Sequence, residues 1–277
     1  MKNDTFEKYE ASNLDLPQRA LLTAWYCLAA YQNDLVLAGG MAIYHLTHPP
    51  QIGMVGPVTL DVDFGIRIAA SSGMYGSIRE SLSAHGFEWM GAEKRFLRKS
   101  PDLDLYIDLL TDDGKSDMGT AIVDDGLAVG TLPGIDRALE VNRLVKISGK
   151  TLVGADATQT VAVAEVGPML ALKLNAFGGP AGRKTPKDAH DILYLATEYI
   201  GGSDAAIQAF HTERKAGNRA VPHAISALER YFGNEDAEGP MACAAFRLNN
   251  RHEEREFEGE SILIRQQCVT LAQELLA

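Results

Sequence analysis

Hydrophobic and polar positions follow two different periods along this chain, and each period dominates a different part of it. Up to about residue 160, short apolar runs and strictly alternating stretches predict strands between helical segments, at 35–38, at 58–68 and from residue 104 onward. After a further extended stretch at 159–166, apolar residues recur at helical spacing in 167–177, 186–200, 203–215, 221–232 and 261–276. We therefore predict a mixed α/β domain over residues 1–160 and a helical domain over residues 161–277.

The first predicted strand meets a predicted helix at two consecutive glycines, in the sequence LVLAGGMAIYHL. Gly39 and Gly40 leave the backbone bare at a point where a helix presents unpaired N–H groups, and such an arrangement attracts phosphate. The alternative is a tight turn that binds nothing, because the sequence is neither a Walker A loop nor GxGxxG.

Two aspartates share one face of the second predicted strand, VTLDVDFGIRI. Residues i and i+2 of a strand project to the same side, so the Cα atoms of Asp61 and Asp63 are roughly 7 Å apart and their carboxylates can converge. Asp108, on a later alternating segment, is placed to add a third carboxylate. Such a trio suits Mg²⁺ or Mn²⁺ and phosphoryl transfer. The alternative is a solvated acidic face of an amphipathic strand.

The net charge and the cysteine and histidine patterns disfavour several classes of function. The chain of 277 residues has a formal net charge of −11, which disfavours a nucleic-acid coat protein, although the middle third of the chain is nearly neutral. The three cysteines form no CxxC pair and the histidines form no HExxH pattern, so neither a disulfide framework nor a zinc site is indicated. The early apolar run is too short to span a bilayer, and the charged start has no signal-peptide pattern. We expect a cytoplasmic protein with no membrane partner.

A second group of charged residues lies in MLALKLNAFGGPAGRKTPKDAHDILYLA, residues 169–196. Lys173 falls on the apolar stripe of its predicted helix, where a lysine either reaches a negative charge or extends its ammonium to water. Asp188 and Asp191 are i, i+3 neighbours and face the same way. Each also has a structural interpretation, since Thr185 and Asp188 are typical of a capped helix start.

Basic residues form two small groups near these acidic ones. Arg183 and Lys187 belong to a basic loop that either contacts nucleotide or RNA phosphates or is simply solvated. The same two interpretations apply to Arg95, which is close in sequence to the strand that carries Asp108.

The order of these motifs resembles the DNA polymerase β-type nucleotidyltransferase superfamily. A glycine pair, a helix, a strand with TLDVDF and a later strand with YIDLL follow one another as in that superfamily. The segment 169–196 is similar to the K…R…KDxxD block of the AbiEii-like (MenT-like) nucleotidyltransferase toxins. Together these motifs cover about residues 35–200, and the last part of the chain contributes nothing to the resemblance.

The resemblance implies an α+β fold, in which a mixed β-sheet flanked by helices is followed by a helical C-terminal region that completes the active site. It implies an NTP substrate and bound Mg²⁺ (or Mn²⁺), with Asp61, Asp63 and Asp108 as metal ligands. The catalytic residues would be Asp61, Asp63, Asp108, Lys173 and Asp188, and the NTP would contact Gly39, Gly40, Lys173, Arg183 and Lys187.

The implied activity is transfer of NMP from the NTP to an acceptor hydroxyl. The resemblance points to a toxin of a toxin–antitoxin pair that modifies tRNA or another RNA and is neutralised by a cognate antitoxin protein. Two alternatives stay open. One is a transferase for aminoglycoside-like small molecules, whose positive charge suits an acidic protein. The other is a catalytically silent regulator that binds nucleotide.

Overall fold

The computed structural model describes residues 5–7, 14–50, 55–67, 77–100, 104–115, 117, 119–123, 126–180 and 182–277. The chain divides into two compact units. The sheet unit lies within Ser12–His45 and Thr59–Glu165, and the helical unit lies within Met1–Ala11, Leu46–Val58 and Val166–Ala277. The fold is α+β, as the sequence predicts, with helices against a mixed sheet and a helical C-terminal region.

In the described part of the chain, nine strands join in one mixed sheet. Seven of them follow the order β3-β4-β5-β2-β1-β9-β8, while β7 pairs with β5 and β6 pairs with β7. The pairs β2–β5, β1–β9 and β5–β7 are parallel, and the other pairs are antiparallel. The strands are β1 (Leu35–Ala38), β2 (Asp61–Ile66), β3 (Glu88–Met90), β4 (Arg95–Arg98), β5 (Leu105–Thr111), β6 (Gly119–Val123), β7 (Leu127–Thr131), β8 (Asn142–Lys150) and β9 (Asp156–Ala164).

Alternation in β2 and β5 places their polar residues on one face, as predicted from the sequence. Val62 and Phe64 of β2 are fully buried, whereas Asp61 and Asp63 are half-buried. In β5, Ile107 and Leu109 are buried and the intervening positions are half-buried. The predicted strand 58–68 is longer than β2 because Val58 to Leu60 lie outside the ladder, and residue 68 lies outside the described residues.

Four α-helices accompany the described strands of the sheet unit. They are α1 (Asp15–Cys27), α2 (Gly39–Leu46), α3 (Ile78–Ser83) and α4 (Ile135–Glu140), and a 3₁₀ turn at Ala29–Asp34 follows α1. The last residue of α2 belongs to the helical unit. The apolar face of α1 packs on β8, β9 and β2, and its Trp25 ring lies 5.9 Å from that of Phe64.

The helical unit is organised around a helix that is apolar on nearly every side. This helix, α5 (Val166–Gly178), packs against three of the helices that follow it and buries eleven of its 13 residues. The later helices are α6 (Pro186–Thr197), α7 (Ser203–Lys215), α8 (Val221–Tyr231), α9 (Glu238–Arg247) and α10 (Glu258–Leu276). Over the residues that the structure describes, no helix combines the length and the apolar character needed to cross a membrane.

Several elements were not predicted from the sequence, namely β6, β7, α4, β8 and α9. The case of α9 shows why, since Gly239 and Pro240 are typical of a loop but occupy the first turn of this helix, where proline is tolerated. Gly239 is required there because a Cβ would come within 2.5 Å of the Phe232 ring. Tertiary packing therefore sets this helix start. The predicted domain boundary at residue 160 falls inside β9, and the division between units follows Glu165.

Candidate active site

The register of the sheet aligns the sequence-predicted carboxylates across neighbouring strands. Asp63 of β2 is the partner of Asp108 on β5 and of Ala38 at the end of β1. Residues that lie directly opposite each other in a ladder project from the same face of the sheet. Asp63 and Asp108 are therefore cross-strand neighbours, and β1 delivers the chain to Gly39 immediately beside them.

Asp61 occupies the next position along the same face. Its partner on β5 is Tyr106, which lies two residues before Asp108 and so projects to the same side. The backbone at Asp61 is held by Thr59, whose hydroxyl donates to the Asp61 carbonyl oxygen at 3.0 Å and accepts from the Asp61 N–H at 3.2 Å. The side chain of Thr59 thus holds the backbone at the start of this strand.

An arginine lies among these carboxylates. Arg95 of β4 is the antiparallel partner of Asp108. Its Nε donates to Oδ1 and its Nη2 to Oδ2 of Asp108, both at 2.9 Å, and Nη2 lies 3.4 Å from Oδ2 of Asp61. The guanidinium also stacks over Tyr106, 4.1 Å from the ring centroid. Arg95 therefore bridges the acidic residues of two strands.

The carboxylates repel one another despite this arginine. Burial and the charge of Asp63 raise the pKa of Asp108 to about 7, even though Arg95 acts in the opposite direction. Burial by itself would lower the pKa of Arg95, but Asp108 and Asp61 outweigh it and the pKa is raised. Three carboxylates and one guanidinium carry a net charge of −2 when all are ionised. That excess negative charge and the oxygen donors fit a divalent cation.

The side chains are nevertheless not arranged as a finished metal site. Among the described residues, no group of three or more His, Cys, Asp or Glu side chains is disposed to hold a metal ion. The bidentate pair with Arg95 explains part of this, because the guanidinium lies against both oxygens of Asp108. Asp61, Asp63 and Asp108 would offer oxygen donors to the predicted metal, but in this structure both oxygens of Asp108 accept hydrogen bonds from Arg95.

Both glycines of the strand-to-helix turn are required by close packing. Gly39 has a φ of +65°, and a Cβ at this position would overlap the carboxylate of Asp63. A Cβ on Gly40 would lie 2.6 Å from the Cβ of Thr59. The absence of side chains at Gly39 and Gly40 thus lets Asp63 and Thr59 approach the start of α2. The carboxylate of Asp63 lies against the glycine turn, at which the sequence predicts a bound phosphate.

In the helical unit, Lys173 forms a buried ion-pair cluster with residues of α6. Its ammonium and that of Lys187 each donate to Oδ2 of Asp191 at 2.6 Å. The side chains of Lys173, Lys187 and Asp191 are 8%, 2% and 1% exposed. Burial raises the pKa of Asp191, but the two lysines outweigh it and the pKa is lowered. Lys173 therefore pairs with a negative charge rather than extending to water, and Lys187 does not belong to an exposed loop.

Asp188 has the structural role that the sequence offers as an alternative. Thr185 caps α6, its hydroxyl accepting from the Asp188 N–H at 3.2 Å and donating to Asp188 Oδ2 at 2.6 Å. Asp188 also pairs with Arg183 at 3.2 Å and lies 3.6 Å from the Lys173 ammonium. The predicted helix start is confirmed, and the carboxylate is completely buried.

His190 is a buried polar residue that sequence patterns did not identify. Its Nε2 lies 3.1 Å from the carbonyl oxygen of Gly56, and its Nδ1 accepts from Arg247 Nε at 3.1 Å. The ring stacks on Phe246 with a centroid distance of 5.0 Å. Burial and the charge of Arg247 lower the pKa of His190 to about 3, so the ring is neutral in the folded protein.

No family model, curated protein or solved structure matches this chain. The geometry above is therefore the basis for any functional conclusion. It gathers Gly39, Gly40, Asp61, Asp63 and Asp108 within the sheet unit, as predicted. It gathers Lys173, Asp188, Lys187 and Arg183 within the helical unit. Arg95 is the residue that sequence analysis did not assign to the site, because its position opposite Asp108 depends on strand register.

Proposed function

We propose that this chain is a metal-dependent nucleotidyltransferase that transfers NMP from an NTP to an acceptor hydroxyl. The observation that carries the proposal is the row of carboxylates on one face of β2 and β5, directly beside the bare turn that begins α2. Strand positions disfavour aspartate, and three half-buried carboxylates on one face repel one another. Binding of a divalent cation accounts for an arrangement that otherwise costs stability.

Asp61, Asp63 and Asp108 would hold the metal, which is Mg²⁺ or Mn²⁺ because hard divalent cations prefer carboxylate oxygens. When bound, the metal supplies positive charge that neutralises and orients the phosphates of the NTP. The first N–H groups of α2 are unpaired within the helix and attract the same phosphates.

The chemical step is an in-line displacement at the α-phosphorus. The acceptor oxygen forms the new P–O bond, and the bond to the pyrophosphate oxygen breaks. The hydroxyl proton passes to one of the carboxylates, and we assign this role to Asp108. Pyrophosphate leaves with the electron pair of the broken bond.

We propose RNA, and tRNA in particular, as the acceptor, with a separate antitoxin protein as the partner that silences the activity. The face of the β8–β9 hairpin offers groups that suit an RNA backbone. Lys146 and Lys150 are exposed there, and the exposed hydroxyls of Ser148, Thr158 and Thr160 lie on the same face. Lysines and hydroxyls are the usual contacts to phosphate oxygens.

The test uses the full chain with each α-³²P-labelled NTP, Mg²⁺ and total tRNA, and in parallel a panel of aminoglycosides. We expect label in the tRNA, and a loss of more than about a hundredfold in Asp61→Asn and Asp63→Asn, since each removes a charged metal ligand. Asp204→Asn is the matched control, because Asp204 is an exposed aspartate in the first turn of α7 and lies outside the carboxylate row and the β8–β9 face. Its activity should equal that of the wild type.

Other results would reject specific parts of the proposal. Label in an aminoglycoside alone would reject the RNA acceptor and favour a small-molecule transferase. Tight NTP binding with no transfer to any acceptor would reject catalysis and favour a regulator. Growth of a host that expresses the wild type should be slower than growth with Asp63→Asn, and equal growth would count against a toxin.

A further inference from the structure

We propose that the helical unit binds a free α-amino acid in a pocket beside the first part of α10. The pocket has a volume of about 300 Å³, at the small end of the range for small-molecule sites. Its walls come from α9, from residues 252–255 and from α10, all of which belong to the helical unit. The proposal therefore concerns other residues than the carboxylate row of the sheet unit.

One wall of the pocket is a single face of α10. Glu258, Ser261 and Arg265 are spaced i, i+3 and i+7, which places them on the same side of the helix. The Arg265 side chain extends back towards the helix start, since its Nε donates to the Ser261 carbonyl oxygen at 3.4 Å. A carboxylate, a hydroxyl and a guanidinium therefore follow one another along this wall.

The hydroxyl of Ser261 is the first indication that this wall faces a ligand. The residue is 2% exposed, and no hydrogen bond to another described residue engages its hydroxyl. A serine inside a helix commonly donates to a carbonyl oxygen one turn back, and a buried polar group without a partner costs stability. Because Ser261 lines the pocket, a polar ligand there would satisfy its hydroxyl.

His252 gives a second, independent indication. Its Nδ1 is buried and has no hydrogen-bond partner in the part of the chain that the structure describes. An imidazole nitrogen donates or accepts according to its tautomer, so this atom can pair with either end of a ligand that carries both signs of charge. His252 and Ser261 line the same pocket, so one ligand can satisfy two otherwise unpaired polar groups.

The charged residues of the lining favour a zwitterion. Arg255 and Arg265 are cationic, whereas Glu253 and Glu258 are anionic. A simple anion would be repelled by the two carboxylates, and a simple cation would be repelled by the two guanidinium groups. An α-amino acid carries a carboxylate that pairs with an arginine and an ammonium that pairs with a glutamate.

Two contacts hold Arg265 in position for the ligand carboxylate. Its Nη1 donates to Asp236 at 2.9 Å and lies 3.6 Å from the Met241 sulfur, while no hydrogen bond to a described residue engages Nη2. Asp236 also adds negative charge at this arginine, which further disfavours a ligand that is only anionic. Met241 lines the pocket and offers its thioether to an aliphatic ligand side chain.

The experiment is isothermal titration calorimetry of the full chain with each of the common L-amino acids. We expect at least one of them to bind with a Kd below about 1 mM. The best binder is then compared with its carboxamide, which keeps only the ammonium charge, and with its N-acetyl derivative, which keeps only the carboxylate charge. Each derivative should bind at least about tenfold more weakly, because each loses one charge-assisted contact.

A pair of double variants tests whether the lining carboxylates hold the ammonium. Glu253→Gln/Glu258→Gln should weaken binding of the amino acid at least about tenfold and leave binding of the N-acetyl derivative no weaker. Glu256→Gln/Glu260→Gln is the matched control, because both glutamates are exposed, lie in the same stretch of chain and do not line the pocket. Its affinity for the amino acid should equal that of the wild type.

A measurement on the wild type covers the case in which the variants fold poorly. The ¹³C-methyl signal of Met241, assigned by its absence in Met241→Leu, reports on the pocket because this side chain forms part of the lining. The best-binding amino acid should shift this signal with the Kd that calorimetry gives. An unchanged signal at saturation would show that the amino acid binds elsewhere and would overturn the inference.

The remaining outcomes also reject the inference in specific ways. No binding of any amino acid at about 10 mM would mean that the pocket takes no such ligand. An N-acetyl derivative that binds as tightly as the amino acid would show a site for anions, and an equally tight carboxamide would show a site for cations. Equal affinities of the two double variants would show that the lining carboxylates do not hold the ammonium. None of these results bears on the proposed nucleotidyltransferase, which is tested by NMP transfer.

Discussion

Lys173 of α5 and Asp191 of α6 form an ion pair of 2.6 Å in which both side chains are buried. Lys187 donates to the same carboxylate oxygen, and the other oxygen of Asp191 is buried and has no hydrogen-bond partner among the residues that the structure describes. Burying these charges costs several kcal/mol each, which the pairing must offset. The cluster is therefore a place where the loss of one partner has a large effect.

Lys173→Met should lower the free energy of unfolding by about 3 kcal/mol, because it leaves Asp191 with a single cation and Asp188 without its nearby ammonium. Urea denaturation measures this value. Lys150→Met is the control, since Lys150 and Asp156 form an exposed pair that should contribute less than about 1 kcal/mol. The double variant Lys173→Met/Asp191→Asn should recover none of the loss, because it also removes the carboxylate that accepts from the buried Lys187 ammonium. Equal effects of the two single lysine variants would contradict the structural role of Lys173.

Gly39→Ala should be more destabilising than the same change at Gly154. Both glycines have positive φ, +65° and +82°, so both variants bear a backbone cost of about 1–2 kcal/mol. A Cβ at Gly39 would overlap Asp63, whereas no atom of the described residues lies within 4 Å of a Cβ at Gly154. We expect an additional loss of about 1–3 kcal/mol at Gly39. Thermal unfolding measures this loss of stability. Equal losses in the Gly39 and Gly154 variants would show that Asp63 moves aside freely.

The stability of the helical unit should fall on acidification because of His190. The folded-state pKa is about 3 and the unfolded value is about 6.5, so the unfolded chain binds the proton more readily. The stabilisation is complete above about pH 6.5 and is lost as the pH falls towards 3, at up to about 1.4 kcal/mol per pH unit. Urea titrations at pH 7.5 and 5.0 should show a larger decrease in the wild type than in His190→Gln. Parallel decreases would contradict a neutral, buried imidazole.

A carboxyl group should titrate near pH 7 in the metal-free protein. ¹³C NMR of labelled aspartate should detect this titration in the wild type and not in Asp108→Asn. Asp63→Asn should lower the pKa of Asp108, because the Asp63 charge is one of its main causes, and Arg95→Gln should raise it. Since the folded pKa lies above the unfolded value, this group stabilises the fold increasingly as the pH falls from 7 towards 4. A pKa of Asp108 that is unaffected by Asp63→Asn would show that the two carboxylates do not interact.

Local periodicity was sufficient to predict the carboxylate strand. Asp61 and Asp63 share a face because side chains alternate along any strand, and Leu35–Ala38 is bounded by the glycine turn as expected. The Thr185 cap of α6 was also predicted, because it depends only on two residues that are three positions apart in the sequence.

Such local patterns do not predict contacts between residues that are far apart in the sequence. Arg95 meets Asp108 only because β4 and β5 pair in one particular register, and no short motif encodes that pairing. The partner of Lys173 likewise depends on how α5 packs against α6. The helix at Glu238–Arg247 was missed because packing of Gly239 against Phe232 outweighs the loop-like composition.

The hairpin of β3 and β4 also protects the site against slippage. Phe96 faces away from the carboxylates, is fully buried and lies 4.9 Å from the Trp89 ring. A shift of β4 by one residue along β5 would turn the phenyl ring towards the aspartates and carry the guanidinium into the core. Burial of Phe96 on one face of this short strand thus keeps Arg95, on the other face, in register with Asp108.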